Sequence, residues 1–185
     1  MLDRLRSSLR EATVIRKGDY DYFVHPIADG VPSVDPSLLE EVVAAIRRTA
    51  NFDCDLILAP EAMAIHLAAP LSIMTRVPYT IVRKRPYGLP GEVRVDQSTG
   101  YSKGEMFLNG VSQGKKVVIV DDVLSTGGTL RSLVAALRGI GAEIVDIVVV
   151  VEKGSVKPAL EAELGIVIKS LVRIDVADGR VIVRD

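Results

Sequence analysis

Two adjacent acids and the short loop after them are the residues of this sequence best suited to chemistry. Asp121 and Asp122 come directly after an apolar run at positions 117–120, and a hydroxyl-rich loop follows at Ser125-Thr126-Gly127-Gly128-Thr129. Glycines let a ligand approach the backbone closely, and free backbone N–H groups at a helix N-terminus bind anions. Carboxylates accept hydrogen bonds from sugar hydroxyls. The pattern therefore predicts a sugar phosphate site, with the phosphate on the loop and the hydroxyls on the acids.

A buried strand and a helix are predicted to position these residues. The run at 117–120 has four apolar residues in a row, which is typical of a strand buried on both faces of a parallel sheet. We expect Asp121 and Asp122 to stand where this strand ends, and a helix over 130–138 to begin behind the loop. Ligands of such sheets bind beyond the carboxyl ends of the strands.

The rest of the chain predicts an α/β fold with a mostly parallel central sheet flanked by helices. Strand and helix patterns alternate regularly from Asp55 onward, as expected for right-handed crossovers between parallel strands. The other predicted strands lie at 55–58, 79–82, 106–108, 144–151 and 166–174, with a hairpin at 176–185. The other predicted helices lie at 2–11, from 36 onward behind an Asp35 cap, at 65–69 and at 157–164.

Two segments interrupt this alternation. Residues 18–36 combine aromatic residues, prolines and glycines, which predicts a separate flap of short irregular strands and turns. Residues 86–105 are glycine-rich and charged, too polar for the core and too long for a simple connection. Loops of that size are usually functional. We therefore expect a flap at 18–36 and a functional loop at 86–105, both outside the main sheet.

Length, composition and charge favour one ordinary globular domain over residues 1–185. The chain has 185 residues, of which 48% are hydrophobic and 25% charged, and its net charge is −1. This composition and this net charge do not indicate nucleic-acid binding. The single cysteine, Cys54, excludes intramolecular disulfides, and with only two histidines the chain lacks a standard zinc set. No segment approaches a membrane span, so we expect a cytoplasmic protein without membrane or nucleic-acid partners.

Three loops that could bind ligands are predicted to meet at one rim of the sheet. They comprise residues 60–64, 83–85 and 121–129, and Glu152 and Lys153 end a fourth strand. The sequence thus brings a phosphate loop, an acid pair and a cluster of cations to the same place.

The segment VVIVDDVLSTGGT resembles the phosphoribosyl diphosphate (PRPP) signature of the type I phosphoribosyltransferases. The resemblance implies that Asp121 and Asp122 hold the 2′ and 3′ hydroxyls of ribose, and that the loop from Ser125 to Thr129 binds the 5′-phosphate. A generic turn of a doubly wound domain is the alternative, but an acid pair before a hydroxyl-glycine loop is much rarer than glycines alone. The resemblance spans nearly the whole chain and implies the type I phosphoribosyltransferase fold.

Two further segments resemble the parts of this family that bind pyrophosphate. APEAMAIHLAAPLS is similar to its pyrophosphate loop, in which backbone amides after a glutamate receive the leaving group; here the residues are Glu61, Ala62, Met63 and Ala64. VRKRPYGLPGE is similar to the start of the mobile loop in purine members, which implies that Arg83 and Lys84 meet pyrophosphate and that 86–105 is a mobile lid. The alternative for both cations is a solvated strand end.

The flap resembles the base-binding hood of the purine members. DYFVHPIADGVP carries this similarity, which implies a small N-terminal hood over residues 13–34 with contributions from the C-terminal segment. Phe23 and Val24 are the candidates to cover a purine face, and their alternative role is flap core. VVVVEKG and SLVRI are similar to segments of xanthine phosphoribosyltransferases, which implies that Lys153 approaches the base. A lysine only donates, so it suits a 6-oxopurine better than adenine, although a strand-end lysine is commonly just solvated.

Two positions depart from the family pattern. TGYSKGEM is similar to a segment of adenine phosphoribosyltransferases, but Gly100 stands where those enzymes have a glutamate. Ser125 stands where the common hypoxanthine-guanine enzymes carry an aspartate that faces the purine. The whole pattern is most similar to the archaeal purine phosphoribosyltransferases, which are assigned to hypoxanthine and guanine.

The resemblance implies a purine salvage enzyme that transfers the 5-phosphoribosyl group of PRPP to hypoxanthine or guanine, giving IMP or GMP and pyrophosphate. It also implies Mg²⁺ held through PRPP near Asp121 and Asp122, with no direct protein ligand, and a homodimer. An adenine or xanthine enzyme and a non-catalytic PRPP-binding regulator are the alternatives. Such regulators often carry a DNA-binding domain, for which 185 residues leave no room. His25 and His66 are expected to be packed or solvated rather than catalytic.

Overall fold

The computed structural model describes residues 2–18, 20–98 and 103–184. The helices are α1 Asp3–Arg10, α2 Pro26–Asp29, α3 Pro36–Thr49, α4 Ile65–Thr75, α5 Gly128–Ile140 and α6 Lys157–Leu164. The strands are β1 Thr13–Lys17, β2 Tyr20–Val24, β3 Leu56–Pro60, β4 Tyr79–Val82, β5 Val93–Ser98, β6 Lys103–Leu108, β7 Lys116–Leu124, β8 Glu143–Lys153, β9 Ile168–Ala177 and β10 Arg180–Arg184.

A six-stranded sheet in the order β10-β9-β8-β7-β3-β4 forms the centre of the molecule. All neighbouring strands are parallel except β10, which pairs with β9 as an antiparallel hairpin. This arrangement confirms the predicted mostly parallel α/β architecture. It also places the C-terminal ends of β3, β4, β7 and β8 along one edge of the sheet, which we call the rim.

The sheet separates two hydrophobic layers. Successive residues of a strand point to opposite faces, so Val118 and Val120 pack with α1, α3 and α4 on one side, while Val117 and Ile119 pack with α5 and α6 on the other. All four side chains are completely buried. Burying each of them contributes about 1.5–3 kcal/mol, which explains why this strand is apolar without alternation.

Strand β7 is longer than predicted, and this corrects the placement of the acids. Asp121 and Asp122 were expected after the strand, but the strand continues to Leu124. Strand β8 also continues beside it, so that Asp121 pairs with Val149 and Leu124 pairs with Glu152. Asp121 and Asp122 therefore lie within the last four residues of β7, where the strand backbone fixes the direction of their side chains.

Helix α4 runs six residues beyond the predicted end at position 69. Pro70 lies inside it, and a proline in a helix removes one hydrogen bond at a cost of about 3 kcal/mol. Leu67, Ala68 and Leu71 are fully buried against the core, and their burial offsets that cost. Thr75 Oγ1 donates to the carbonyl of Leu71 at 2.7 Å in the last turn.

The segment 86–105 was expected to be too polar for the core, and this expectation is wrong in part. Residues 93–98 and 103–108 form an antiparallel hairpin, β5–β6, that contacts α5. Within the segment, Val95 is 3% exposed, because alternate residues of the hairpin point into the layer formed by α5. Met106, in the strand predicted at 106–108, pairs with Val95 and is 1% exposed. Residues 99–102, which include Gly100, lie outside the described residues.

The flap at the N-terminus forms a unit beside the sheet. Strands β1 and β2 pair antiparallel, and α2 follows them directly. We call residues 13–34 the hood; it contacts β9 and β10 near the C-terminus. Among the helices of the described residues, none is long and apolar enough to cross a membrane.

Candidate active site

A cavity of about 300 Å³ lies between the hood and the rim. It combines residues from the hood, from the loops after β3 and β4, from β6 and from the end of β7. The described lining residues are Tyr20, Tyr22, Phe23, Ala28, Pro60, Glu61, Ala62, Met63, Lys84, Met106, Asp121, Asp122, Val123, Ser125 and Thr129. Most residues singled out from the sequence therefore share one cavity, although they come from distant parts of the chain.

The loop at 125–129, which we call the phosphate cradle, forms a cleft of about 50 Å³ that Asp121 also lines. Gly127 precedes the first residue of α5 and has a left-handed backbone with φ 77°. A β-carbon on Gly127 would lie 2.7 Å from Cδ2 of Leu160. Gly127 has no side chain and therefore makes no capping hydrogen bond to the first turn of α5, and a helix N-terminus of this kind binds anions. The cleft therefore suits a phosphate group.

The acid pair lies beside the cradle, with Asp121 buried and Asp122 half-buried. Asp121 is 6% exposed, and one of its carboxylate oxygens accepts a hydrogen bond from the backbone N–H of Asp122 at 2.9 Å. Burial raises the pKa of Asp121 well above its usual value, and repulsion from Asp122 raises it further. Burial also raises the pKa of Asp122. Hydroxyl donors or cations stabilise the ionised form of such acids. Lys84 is close enough to stabilise ionised Asp121 in this way.

The loop after β3 faces the end of β4. One carboxylate oxygen of Glu61 accepts a hydrogen bond from the backbone N–H of Lys84 and lies 3.2 Å from Nε of Arg83. The peptide bond between Glu61 and Ala62 is cis. Glu61, Ala62 and Lys84 line the cavity, whereas Ala64 is completely buried and the side chain of Arg83 faces a separate surface cleft. Of the two predicted cations, only Lys84 is directed into the cavity.

Aromatic side chains of β2 form the hood side of the cavity. Phe23 lines it and is 4% exposed, but Val24 is not among the described lining residues. Tyr20 and Tyr22, which were not predicted from the sequence, line it as well. Their spacing of two places them on one face of the strand, which is the signal that could have found them.

Both tyrosines make hydrogen bonds through their hydroxyl groups. The hydroxyl of Tyr20 lies 2.8 Å from Oγ of Ser125. The hydroxyl of Tyr22 donates to Asp29 in α2. Lys153 does not line the cavity among the described residues: its ammonium group lies 3.6 Å from the ring centroid of Tyr20 and donates to the carbonyl of Asp21. The predicted base-contacting lysine therefore contacts the hood here.

His25 has a structural environment. It is completely buried, its Nδ1 accepts from the N–H of Ile27 at the start of α2, and its Nε2 lies 2.9 Å from Oγ of Ser8. The accepting Nδ1 leaves the proton on Nε2, which donates to Ser8. Burial lowers the pKa of His25 to about 4. Burial likewise lowers the pKa of His66 and raises that of Cys54, and none of the three lines the cavity among the described residues.

The acid pair could take part in binding a magnesium ion. Within the described residues, no group of three or more histidine, cysteine or acidic side chains could hold a metal. Mg²⁺ commonly keeps several waters and is bound by one or two carboxylates together with substrate phosphates. Asp121 and Asp122 offer oxygen donors at the cavity, so they fit a magnesium ion carried mainly by a substrate's phosphates.

The chain is similar to phosphoribosyltransferases in both sequence and structure. A hypoxanthine/guanine phosphoribosyltransferase of Methanobacterium lacus is 51% identical over 98% of this chain and 95% of its own length. One of Methanosarcina acetivorans is 54% identical over 100% of this chain and 97% of its own. Among solved structures, an adenine phosphoribosyltransferase of Thermoanaerobacter pseudethanolicus has a TM-score of 0.74 and 25% identity, covering 94% of this chain and 99% of that one.

The solved structures share the topology that the sequence predicted. An adenine phosphoribosyltransferase of Rhodothermus marinus superposes with a TM-score of 0.71 at 16% identity, covering 93% of this chain. The fold is thus the type I phosphoribosyltransferase fold. The family pattern described as phosphoribosyl transferase domain matches residues 37–172, a range that contains the loop after β3, the acid pair and the cradle. On the strength of this match and of relatives about half identical over nearly their whole length, the chain belongs to the phosphoribosyltransferase family.

Proposed function

We propose that this protein transfers the 5-phosphoribosyl group of PRPP to N9 of hypoxanthine or guanine, releasing pyrophosphate and giving IMP or GMP. The observation that carries the proposal is the single cavity in which the acid pair, the cradle and the hood aromatics meet. The named relatives favour 6-oxopurines over adenine, because those at 51–54% identity are hypoxanthine/guanine enzymes whereas the adenine enzyme is at 25%.

PRPP would occupy the rim. The cradle, with Ser125, Thr126, Gly127, Gly128 and Thr129, takes the 5′-phosphate, and Asp121 and Asp122 accept from the ribose hydroxyls. The backbone of the loop from Glu61 to Ala64 takes the pyrophosphate, with Lys84 in the cavity as its cation. Arg83 supports the same group only if its side chain leaves the ion pair with Glu61.

The base would occupy the hood side of the cavity. Tyr20 and Tyr22 present aromatic surface of the kind on which a flat purine packs, and Phe23 and Val24 remain proposed neighbours of the base. The role of Lys153 at a purine oxygen also remains a proposal. It requires the ammonium group to leave the carbonyl of Asp21 and the ring of Tyr20.

Catalysis would rest on positioning and electrostatics. When bound, Mg²⁺ supplies positive charge that offsets the charge of the pyrophosphate. Loss of pyrophosphate leaves a ribosyl centre with oxocarbenium character, which the carboxylates of Asp121 and Asp122 stabilise while they hold the sugar in line. Residues 86–105 are proposed to close over the site as a lid and keep water from the reacting centre.

A homodimer and a cytoplasmic location complete the proposal, and both rest on the resemblance to the family. Large apolar side chains are exposed on α4, where Ile73 is 70% and Met74 53% accessible. Exposed apolar side chains of this kind suit an interface with a second copy. Sedimentation velocity at several protein concentrations distinguishes a dimer from a monomer.

Separate incubations with each purine test the activity. The protein is mixed with Mg-PRPP and hypoxanthine, guanine, xanthine or adenine, and nucleotide is separated by chromatography. We expect IMP and GMP. Formation of AMP or XMP alone would reassign the base, and no product with any base would favour a PRPP-binding regulator.

A further inference from the structure

Tyr20 connects the hood to the phosphate cradle. Its hydroxyl oxygen lies 2.8 Å from Oγ of Ser125, the first residue of the cradle, although the two residues are 105 positions apart. Both line the 300 Å³ cavity, and Ser125 also lines the cradle cleft. One hydrogen bond therefore bridges the proposed base region and the proposed phosphate region.

The ring of Tyr20 is also held from the side of the sheet. The ammonium group of Lys153, at the end of β8, lies 3.6 Å from the ring centroid and donates to the carbonyl of the next residue, Asp21. A cation over a tyrosine face is attracted to it. The orientation of this ring thus depends on two rim elements as well as on the hood itself.

The hydroxyl of Ser125 can hydrogen-bond to Tyr20 and to a phosphate at the same time. A serine hydroxyl accepts a hydrogen bond and donates its own proton. With Tyr20 as the donor, Ser125 keeps its proton for a phosphate oxygen, and consecutive hydrogen bonds of this kind polarise and strengthen one another. A phosphate in the cradle therefore strengthens the bond that orients Tyr20.

We propose that Tyr20 is a positioning residue that couples occupancy of the phosphate cradle to the affinity of the base site. The inference rests on the proposed function. Because the Tyr20 ring forms one side of the cavity, fixing it when the phosphate arrives preorganises the surface on which the base packs. Such coupling is reciprocal, so a bound base raises the affinity for the sugar phosphate by the same factor.

The coupling is measured with ligands that cannot react. Ribose 5-phosphate carries the phosphate and the ribose hydroxyls but no pyrophosphate. Hypoxanthine affinity is determined by calorimetry with and without saturating ribose 5-phosphate, and the ratio of the two affinities is the coupling factor. If the activity assay finds another base to be the substrate, that base is used. The wild type is expected to bind the base more tightly with ribose 5-phosphate present, and Tyr20→Phe to lower the factor roughly twofold to tenfold, the contribution of one hydrogen bond.

Two further variants separate coupling from a general structural effect. Ser125→Ala removes the other partner, so it should lower the factor as Tyr20→Phe does, and the double variant should lower it no further. Tyr22→Phe is the matched control, because it also removes a phenol hydroxyl from β2. The hydroxyl of Tyr22 donates to Asp29 rather than to the cradle. It should leave the coupling factor unchanged.

Two results would overturn the inference: a factor that is the same in the wild type and Tyr20→Phe, or an equal loss in Tyr22→Phe. Nucleotide formation from Mg-PRPP is assayed on the same preparations. If the wild type forms nucleotide and either of these two results is found, the coupling is refuted and the proposed function stands. Absence of nucleotide with every base refutes both.

Discussion

Both the backbone conformation and the side-chain packing at position 127 require a glycine. Its φ of 77° lies in the left-handed region, and a β-carbon there would lie 2.7 Å from the fully buried Leu160. The first condition alone costs a non-glycine residue about 1–2 kcal/mol. The second requires Leu160 to move within the layer between α5 and α6.

We therefore expect Gly127→Ala to lower the free energy of unfolding by about 1–2 kcal/mol or more and to weaken binding of ribose 5-phosphate. Gly139→Ala in the same helix is the control, because its β-carbon would meet nothing within 4 Å. That substitution should raise the free energy of unfolding by about 0.5–1 kcal/mol, since alanine favours a helix over glycine. Urea titrations give both values; equal effects of the two substitutions would contradict this account.

Single residues differed in how far the sequence revealed them. The acid pair and the cradle were predictable because their pattern is local: a buried strand, two acids and a glycine-containing turn follow one another directly. The contact of Tyr20 with Ser125 was not, since it joins residues 105 positions apart. Lys153 was predicted to approach the base, and that stays a prediction; its contacts with the ring of Tyr20 and the carbonyl of Asp21 were not predictable, because no local pattern encodes them.

The β5–β6 hairpin is the element whose structure departs most from expectation. Its charged residues concealed an alternation in which Val95 and Met106 point inward. Likewise, the extension of β7 past its apolar run depends on the length of β8 beside it, which no pattern within β7 could reveal. The C-terminal hairpin, by contrast, was predicted, because the turn-forming pair Asp178-Gly179 lies between two apolar runs.

Val95→Thr tests how firmly the hairpin packs on α5. Burial of an unpartnered hydroxyl should lower the free energy of unfolding by about 1–3 kcal/mol. Val93→Thr is the control on the same strand, because Val93 is only partly buried and its hydroxyl would reach water. Urea titration compares the two. Similar small effects would mean that the hairpin opens without unfolding the rest of the molecule, as a fully detached lid does.

For the molecule as a whole, the buried His25 links stability to pH. Its pKa falls from 6.5 to about 4 in the folded protein, so between these pH values the unfolded chain binds more protons than the native one. Stability from this group is complete above pH 6.5 and declines as the pH falls towards 4. The span corresponds to about 3 kcal/mol.

His25→Asn isolates that contribution, because asparagine retains an acceptor for the N–H of Ile27 but does not titrate. The wild type should lose stability relative to the variant as the pH is lowered from 6.5 to 4. Asp121 and Asp122, whose pKa values are raised by burial, titrate in both proteins, so their opposite effect cancels in the difference. Parallel stability curves for the two proteins would show that folding does not lower the pKa of His25.

Asp121 and Asp122 carry the central claim that this cavity performs phosphoribosyl transfer. The most direct test is the initial rate of IMP formation from Mg-PRPP and hypoxanthine in the wild type and in the double variant Asp121→Asn, Asp122→Asn. Asparagine keeps the shape and removes buried charge, so the variant should fold with an unchanged circular dichroism spectrum. Its turnover should fall by about 10²-fold or more, and near-normal turnover in the folded double variant would contradict the assignment.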